Sequence, residues 1–180
     1  MNSDQLSSVR SALLSVYHKE GLDALLAPLQ ELGITIISTG GTARHIKELG
    51  IAVTEVEELT GYPSILGGRV KTLHPKVHGG ILDRRGNAQD EEEMATYDIS
   101  AIELVVVDLY PFEESVAKGR STEEIIEKID IGGIALIRAA AKNFQHVACI
   151  PSRKYYDKVA TWLLGQQGKL TLGQRKELAA

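Results

Sequence analysis

Apolar residues recur along the chain in two alternating patterns, short continuous runs and stretches with helical spacing. The short runs predict strands at residues 12–17, 34–37, 51–56, 102–109 and 146–150. The helical spacing predicts helices at residues 22–32, 43–49, 89–96, 121–129, 133–143 and 155–164. This alternation is typical of an α/β fold with a parallel sheet. The most apolar run, residues 102–109, predicts a strand buried on both faces in the centre of that sheet.

Residues 60–85 interrupt the alternation, because neither period holds there for long. Glycine occupies positions 61, 67, 68, 79 and 80 of this segment. A long stretch without clear secondary structure inside a compact domain is usually functional or disordered. Its apolar residues and prolines favour an ordered loop that takes part in function.

Composition restricts the class of protein. The formal net charge of −4 argues against a general nucleic-acid binder, since such proteins carry excess Lys and Arg. No apolar run approaches the roughly 20 residues that cross a bilayer, and residues 1–10 lack the apolar stretch of a signal peptide. The single cysteine, Cys149, sits in an apolar run and is predicted to be a buried, inert thiol. These features predict a soluble cytoplasmic protein.

The run Ser38, Thr39, Gly40, Gly41 and Thr42 joins a predicted strand to a predicted helix. Glycines let the backbone turn sharply there, and free amides at a helix start attract anions. The run therefore favours a phosphate site, although a plain tight turn with Thr42 as the helix N-cap remains open.

A second cluster, residues 68–80, concentrates positive charge in an otherwise acidic chain. It contains three cations and two histidines, His74 and His78, among its glycines. Such charge suits a phosphorylated ligand, while a basic surface loop is the alternative. The spacing of the two histidines invites zinc, but Pro75 between them and the missing zincin glutamate argue against it.

Two further clusters lie near the end of a predicted strand and the start of a predicted helix. Asp108 and Tyr110 follow the central strand, at the sheet edge where ligands of parallel α/β folds bind. Asp130 precedes a helix that carries Arg138 and Lys142 on one face. Tyr110 could equally be a core residue with its hydroxyl at the rim, and the cationic pair could be a solvated helix face.

Taken in order, these clusters resemble those of the bifunctional purine biosynthesis proteins that combine AICAR transformylase with IMP cyclohydrolase. The resemblance is to the N-terminal cyclohydrolase domain and runs from about Ala12 to the end of the chain. It rests on Ser-Thr-Gly-Gly-Thr, Gly-Arg-Val-Lys-Thr-Leu-His-Pro-Lys, Leu-Tyr-Pro-Phe and Ile-Asp-Ile-Gly-Gly followed by Arg-Ala-Ala-Ala-Lys-Asn. The second and fourth motifs together are specific to this family.

The resemblance implies a methylglyoxal-synthase-like three-layer α/β fold with a mainly parallel sheet flanked by helices. It implies ring closure of FAICAR to IMP with loss of water, and it implies no metal and no cofactor. Catalytic roles fall on Lys142 as proton donor or acceptor with Asp130 beside it, and on Lys71 and Tyr110. Substrate contacts fall on Ser15, Lys19, Ser38, Thr39, Gly40, Gly41, Thr42, Arg69, Val70, Thr72, Asp108, Ile131, Gly132 and Gly133.

The same resemblance sets expectations for organisation and partners. Residues 1–180 should form one cyclohydrolase domain, with residues 166–180 beginning a linker to a transformylase domain that the chain does not contain. The partner is a nucleotide, FAICAR or IMP, with no nucleic acid or membrane, and a homodimer is possible. A methylglyoxal-synthase-type lyase and a non-catalytic nucleotide-binding regulatory module are the alternatives.

Three residues depart from the family pattern. Tyr17 and His18 stand where the family usually has serine and aspartate, and Asp108 replaces the commoner asparagine. An ionised Asp108 lacks the hydrogen-bond donor of an amide, so it cannot contact the base at this position as an asparagine would.

Overall fold

The computed structural model describes residues 4–110, 112–117, 119 and 121–180. The strands are β1 Leu6–Ser8, β2 Ser11–Val16, β3 Thr35–Ser38, β4 Thr54–Glu55, β5 Leu104–Asp108, β6 Ala148–Ile150 and β7 Lys169–Thr171. The helices are α1 Asp23–Glu31, α2 Gly40–Glu48, α3 Val56–Thr60, α4 Pro75–Leu82, α5 Ala88–Thr96, α6 Phe112–Ala117, α7 Thr122–Ile126, α8 Ile131–Lys142, α9 Tyr156–Gly165 and α10 Leu172–Ala179. None of these helices is long and apolar enough to span a membrane.

Five strands form one parallel sheet in the order β4-β3-β2-β5-β6. Strand β2 pairs with β3 on one side and with β5 on the other, so that Leu13 lies opposite both Ile37 and Val105. The run at residues 102–109 is an interior strand, as predicted, but the middle strand of the five is β2. All carboxyl ends of these strands meet at one edge of the sheet.

The sheet is covered on both faces, which confirms the predicted three-layer α/β arrangement. On one face, alternate residues such as Leu14 and Val106 pack with apolar side chains of α1 and α9. On the other face, Leu13 and Val105 pack with Val77 and Ile81 of α4 and with Leu136 of α8. Burial on both faces explains why these strands appear as continuous apolar runs in the sequence.

Two predicted elements, the helix at residues 43–49 and the strand at residues 51–56, have different bounds in the structure. Helix α2 begins at Gly40, before the predicted start at residue 43. The predicted strand at residues 51–56 is reduced to Thr54–Glu55, because the chain turns at Val56 into the short helix α3. Alternating apolar residues also suit a loop that drops single side chains into the core, as Ile51 and Val53 do.

Part of the predicted loop at residues 60–85 is helical. Helix α4 begins at Pro75, and the His74 side chain caps it by accepting a hydrogen bond from the backbone N–H of Lys76 over 3.1 Å. Gly80 lies inside this helix, where a Cβ atom would come within 2.3 Å of the Ser100 carbonyl oxygen. The glycines that suggested a loop therefore permit close packing of α4 against residues 99–102.

The C-terminal segment differs from the expected linker. Strand β7 pairs antiparallel with β1, and α10 follows it directly. Leu170 and Leu178 are buried in the core, and Arg175 is only 2% exposed. Its guanidinium donates hydrogen bonds to three carbonyl oxygens, those of Phe144, Gln145 and Leu170. Residues 169–179 are thus a packed part of the domain, as their apolar and hydrogen-bonded contacts require.

Candidate active site

A cleft of about 460 Å³ opens at the carboxyl edge of the sheet. A volume of this size suits a small-molecule ligand. Five separated parts of the chain line it: Ser15 near the end of β2, Thr39 after β3, residues 67–69 with Lys71 and Thr72, Tyr110 beyond β5, and residues 126–127 and 129–133 around the start of α8. The four clusters of the sequence therefore each contribute to one cleft, although not through every predicted residue.

The first cluster divides between the cleft and the core. The Ser15 and Thr39 hydroxyl oxygens lie 3.3 Å apart on the cleft wall. Ser38 is buried, and its hydroxyl donates to the Leu14 carbonyl over 2.8 Å. The Thr42 hydroxyl donates to the Val16 carbonyl over 2.9 Å and accepts from the Val16 N–H over 3.1 Å.

Ser38 and Thr42 therefore hold the start of α2 against β2, and their hydroxyls are committed to the protein. The N-cap of α2 is Thr39, so the alternative with Thr42 in that position is wrong.

Gly40 and Lys71 meet at the start of α2. Gly40 has a φ of 44°, in the left-handed region that favours glycine. A Cβ atom at this position would lie 3.1 Å from the Lys71 Nζ atom. Since the first amides of a helix have no intrahelical partner and carry partial positive charge, the lysine amine and the helix start form one cationic corner. Gly41 follows Gly40 in the first turn of the helix.

The remaining residues of the second cluster shape the loop beside this corner. Arg69 forms an ion pair with Glu127 across the cleft, and both side chains are more than half exposed. Val70 pairs its carbonyl with the Ile65 N–H over 3.1 Å, which closes the loop on itself. Thr72 is 6% exposed, and its Oγ1 atom lies 3.0 Å from where a Cβ atom of Gly132 would be. The loop is thereby packed against the start of α8.

Asp130 is the N-cap of α8 and fixes the fourth cluster. Its Oδ1 atom accepts the Gly133 N–H over 2.6 Å. A Cβ atom at Gly133 would lie 2.5 Å from Asp130 Oδ2 and 2.8 Å from Leu109 Cδ2. Glycine at position 133 is therefore required for the carboxylate to fold back over the helix start. Ile131, by contrast, is 57% exposed at the cleft.

Tyr110 stands on the cleft wall between the sheet and α8. Its ring packs against the Tyr17 ring with the centroids 4.9 Å apart. Partial burial, together with the charge of Asp130 and the neighbouring Tyr17, raises the pKa of Tyr110 above its usual value of 10. The phenol therefore stays protonated at neutral pH and can donate a hydrogen bond.

Lys142 does not join these residues, and the expectation that Asp130 lies beside it is wrong. Asp130 caps the first turn of α8 and Lys142 ends the last turn. Their backbones are about 18 Å apart, because a helix rises about 1.5 Å per residue. Lys142 is exposed. Next to it, the Asn143 side chain binds the Ile81 and Asp83 carbonyls at the end of α4, away from the cleft.

Lys19 and Asp108 lie behind the cleft wall rather than on it. The Lys19 amine donates to the carbonyl oxygens of Val16 and Tyr17 over 2.5 and 2.8 Å, and burial lowers its pKa from the usual value. The Asp108 Oδ2 atom accepts from His18, through the backbone N–H over 2.8 Å and through Nδ1 over 2.7 Å. Both residues therefore bind the turn after β2.

Sequence reasoning assigned no site role to some cleft residues, namely Gly67, Gly68, Ile126, Glu127 and Ile129. Gly68 begins the cationic motif and Gly67 precedes it, and their positive φ values of 66° and 91° mark a turn that the glycine pair could have indicated. Residues 126–129 were predicted only as part of a helix. No local signal could have brought them to the cleft, since their position depends on how α7 packs in space.

The buried thiol of Cys149 is confirmed. Burial raises the pKa of Cys149 to about 12, so that it carries no thiolate at neutral pH.

The fold is shared with known proteins. The family model of the MGS-like domain matches residues 21–135, which is more than half of the chain. The chain therefore belongs to the MGS-like domain family. A solved structure titled "Crystal structure of ForH" has a TM-score of 0.82 and 37% identity, over 94% of this chain and 87% of that one.

Among curated relatives, the chain is similar to proteins named bifunctional purine biosynthesis protein PurH. It is 53% identical over 171 residues to the one from Bacteroides thetaiotaomicron, and 54% identical over 168 residues to the one from Aquifex aeolicus. These matches cover 95% and 93% of this chain but 34% and 33% of the relatives. The chain thus spans about a third of the length of the curated relatives that it matches.

Proposed function

We propose that this chain is an IMP cyclohydrolase, which closes the second ring of the purine by converting FAICAR to IMP. The observation that carries the proposal is the convergence of Lys71, Tyr110 and Asp130 with the start of α2 in one cleft. The similarity to proteins named PurH supports the same reaction. A formyltransferase activity is not assigned to these residues.

The phosphate of the nucleotide would bind at the cationic corner. The first amides of α2 and the Ser15 and Thr39 hydroxyls surround it, and Arg69 stands opposite. The Lys71 amine, which borders this corner, stays available to the base. A phosphate dianion would compete with Glu127 for the Arg69 guanidinium, which can bind it through two N–H groups. The base would then extend toward Tyr110 and Asp130.

Ring closure needs a nitrogen–carbon bond and the loss of one water. The carboxamide nitrogen attacks the formyl carbon, and one of its protons passes to the formyl oxygen to give a carbinolamine. The hydroxyl then leaves with the proton of the former formamido nitrogen. A carboxamide is a weak nucleophile, so the site must hold the two groups in contact and move protons between them.

The residues at the cleft divide these tasks by their chemistry. The Asp130 carboxylate can accept the proton from the attacking nitrogen. Tyr110, protonated at neutral pH, and the Lys71 ammonium can stabilise charge on the formyl oxygen and deliver a proton to it. Lys142 takes no part in this scheme, because it stands at the far end of α8. Ser38, Thr42, Lys19 and Asp108 act by holding the backbone of the site.

The test is to incubate purified protein with FAICAR and follow the ultraviolet absorbance of IMP. Turnover is expected, and Arg69→Ala should raise the KM about tenfold or more by removing a charged phosphate contact. Formation of methylglyoxal from dihydroxyacetone phosphate would favour the lyase instead. Nucleotide binding without turnover of either substrate would favour a regulatory module.

The proposal carries two further expectations, a cytoplasmic location and a homodimer. The buried thiol of Cys149 fits a cytoplasmic enzyme. Exposed isoleucines around the cleft, such as Ile126, Ile129 and Ile131, fit a homodimer. Light scattering of the purified chain would test the second expectation, and a monomer at all concentrations would contradict it.

A further inference from the structure

Three residues behind the cleft wall form a connected chain of contacts. Both donors of His18, the backbone N–H and the ring Nδ1–H, reach the same oxygen of Asp108, over 2.8 and 2.7 Å. A carboxylate only accepts, so the Nδ1 atom of His18 carries the hydrogen. The two side chains are 28% and 14% exposed, so the bond is sheltered from water. This pair fixes the turn after β2 to the end of β5.

Tyr17 connects this pair to the cleft. Its backbone N–H donates to the Asp108 carbonyl over 3.0 Å. Its ring meets the His18 ring edge to face at 4.8 Å and lies 4.9 Å from the Tyr110 ring. The Lys128 ammonium lies 5.0 Å from the Tyr110 centroid and 5.6 Å from that of Tyr17. The Tyr17 ring therefore stands between the His18 ring and the Tyr110 ring.

Tyr110 depends on this packing for its orientation. It lies two residues beyond the end of β5, and it is 40% exposed at the cleft. The Tyr17 ring supplies packing against the Tyr110 ring, and aromatic pairs of this kind restrict how a ring can tilt. A small displacement of a group that acts on the reacting atoms lowers the rate strongly while affecting binding less.

We propose that His18 and Asp108 are positioning residues, which act through the Tyr17 ring to hold Tyr110 in its working orientation. The inference rests on the proposed function of the cleft. It predicts that disturbing the pair lowers kcat, whereas KM, which depends mainly on the phosphate corner, changes little.

Exchanging the chemistry of the two positions tests the inference. His18→Asp places two carboxylates against each other and should lower kcat about tenfold or more, with KM within about threefold of the wild type. Asp108→Asn should have a smaller effect in the same direction. In the double variant one amide can accept the N–H of residue 18 and donate to its new carboxylate. The double variant should therefore regain kcat to within about threefold of the wild type.

Two further variants separate positioning from general damage. Tyr17→Ala should reproduce the fall in kcat without touching the polar pair, and the conservative Tyr17→Phe should restore it. Asp98→Asn is the matched control, since it removes a carboxylate from the exposed ion pair with Lys76, and its kcat should equal that of the wild type. The melting temperature of each variant shows whether it is folded.

The outcomes distinguish a failure of the positioning role from a failure of the proposed function. If the wild type turns over FAICAR but His18→Asp keeps its kcat, or if the double variant is no better than His18→Asp, the positioning inference is overturned. A fall in kcat that follows the melting temperature across all variants would also overturn it. If the wild type does not turn over FAICAR at all, the proposed function fails instead.

Discussion

At the scale of the residue, neighbours in space explain the chemistry-bearing positions better than neighbours in the chain. His18 and Asp108 both depart from the family pattern, and the structure brings them into direct contact at 2.7 Å. The Asp108 carboxylate accepts both hydrogen bonds that His18 donates, so its role is a contact within the protein and not recognition of the base.

Gly40 is the residue where backbone and packing requirements coincide. We expect Gly40→Ala to lower the free energy of unfolding by about 1 kcal/mol or more, because an L-residue is strained at a φ of 44°. The new Cβ atom would also press on the Lys71 amine. Urea unfolding measures the effect. For Gly41→Ala the Cβ position has no contact within 4 Å among the described residues beyond its chain neighbours and its own helix backbone, so no loss of stability is expected in this control.

Lys71 in the cleft and Lys142 at the far end of α8 are expected to contribute very differently to turnover. We expect Lys71→Ala to lower turnover of FAICAR about 100-fold or more, since it removes an ammonium beside the start of α2. Lys142→Ala should stay within a few-fold of the wild type, because its side chain lies at the far end of α8. Steady-state kinetics of the two variants decide the matter. If Lys142→Ala abolished turnover with nucleotide binding intact, the catalytic role that the resemblance implies would stand and the present scheme would not.

At the scale of the element, the site depends on where helices begin. Helices α2 and α8 both start at the cleft, so their free amides and dipoles point toward the same space. Helix α8 starts there because Asp130 caps it and Gly133 leaves room for the carboxylate. One side chain thus serves as both a helix cap and a candidate base.

Asp130 should therefore show separate effects on stability and activity. Asp130→Asn keeps a side-chain oxygen that can accept the Gly133 N–H, so its unfolding free energy should stay close to that of the wild type. Asp130→Ala removes the cap and should cost about 1 kcal/mol. Both variants lose the carboxylate, and both should lose FAICAR turnover. Thermal unfolding and kinetics measured on the same samples check this, and an active Asp130→Asn would exclude the carboxylate as the base.

At the scale of the whole molecule, the C-terminal segment is packed against the rest of the fold. Strand β7 pairs antiparallel with β1, and α10 lies beside β6 with Leu172 and Leu178 buried. Arg175 ties this segment to residues 144–145 through the three carbonyl groups that it binds. A buried guanidinium that satisfies several carbonyls is costly to remove, because these acceptors then lose their donor.

We expect Arg175→Ala to lower the free energy of unfolding by about 2 kcal/mol or more, since three carbonyl oxygens, that of Leu170 fully buried, lose their charged donor. The neighbouring Lys176→Ala, which changes a surface position, should alter it by no more than about 0.5 kcal/mol. Urea unfolding at neutral pH compares the two. Equal stability of both variants would mean that residues 169–179 contribute little, as a linker would.

The sequence by itself determined most secondary-structure elements, which depend on interactions between residues close together in the chain. Apolar runs and helical spacing predicted the strands of the parallel sheet and most of its helices, because burial imposes a period on each element. The motifs also identified the residue types of the cleft. The sequence could not reveal α4, since its glycines serve contacts with Ser100 and Ile102, distant in the chain.

Only the tertiary structure decided which side chains meet. It turned Ser38 and Thr42 into the core, brought Glu127 across to Arg69, and paired His18 with Asp108. It also separated Asp130 from Lys142, which share a motif but occupy opposite ends of one rigid helix. Residues at opposite ends of a three-turn helix are far apart even though they are close in sequence. Lys71, and not Lys142, is therefore the lysine that can act in the cleft.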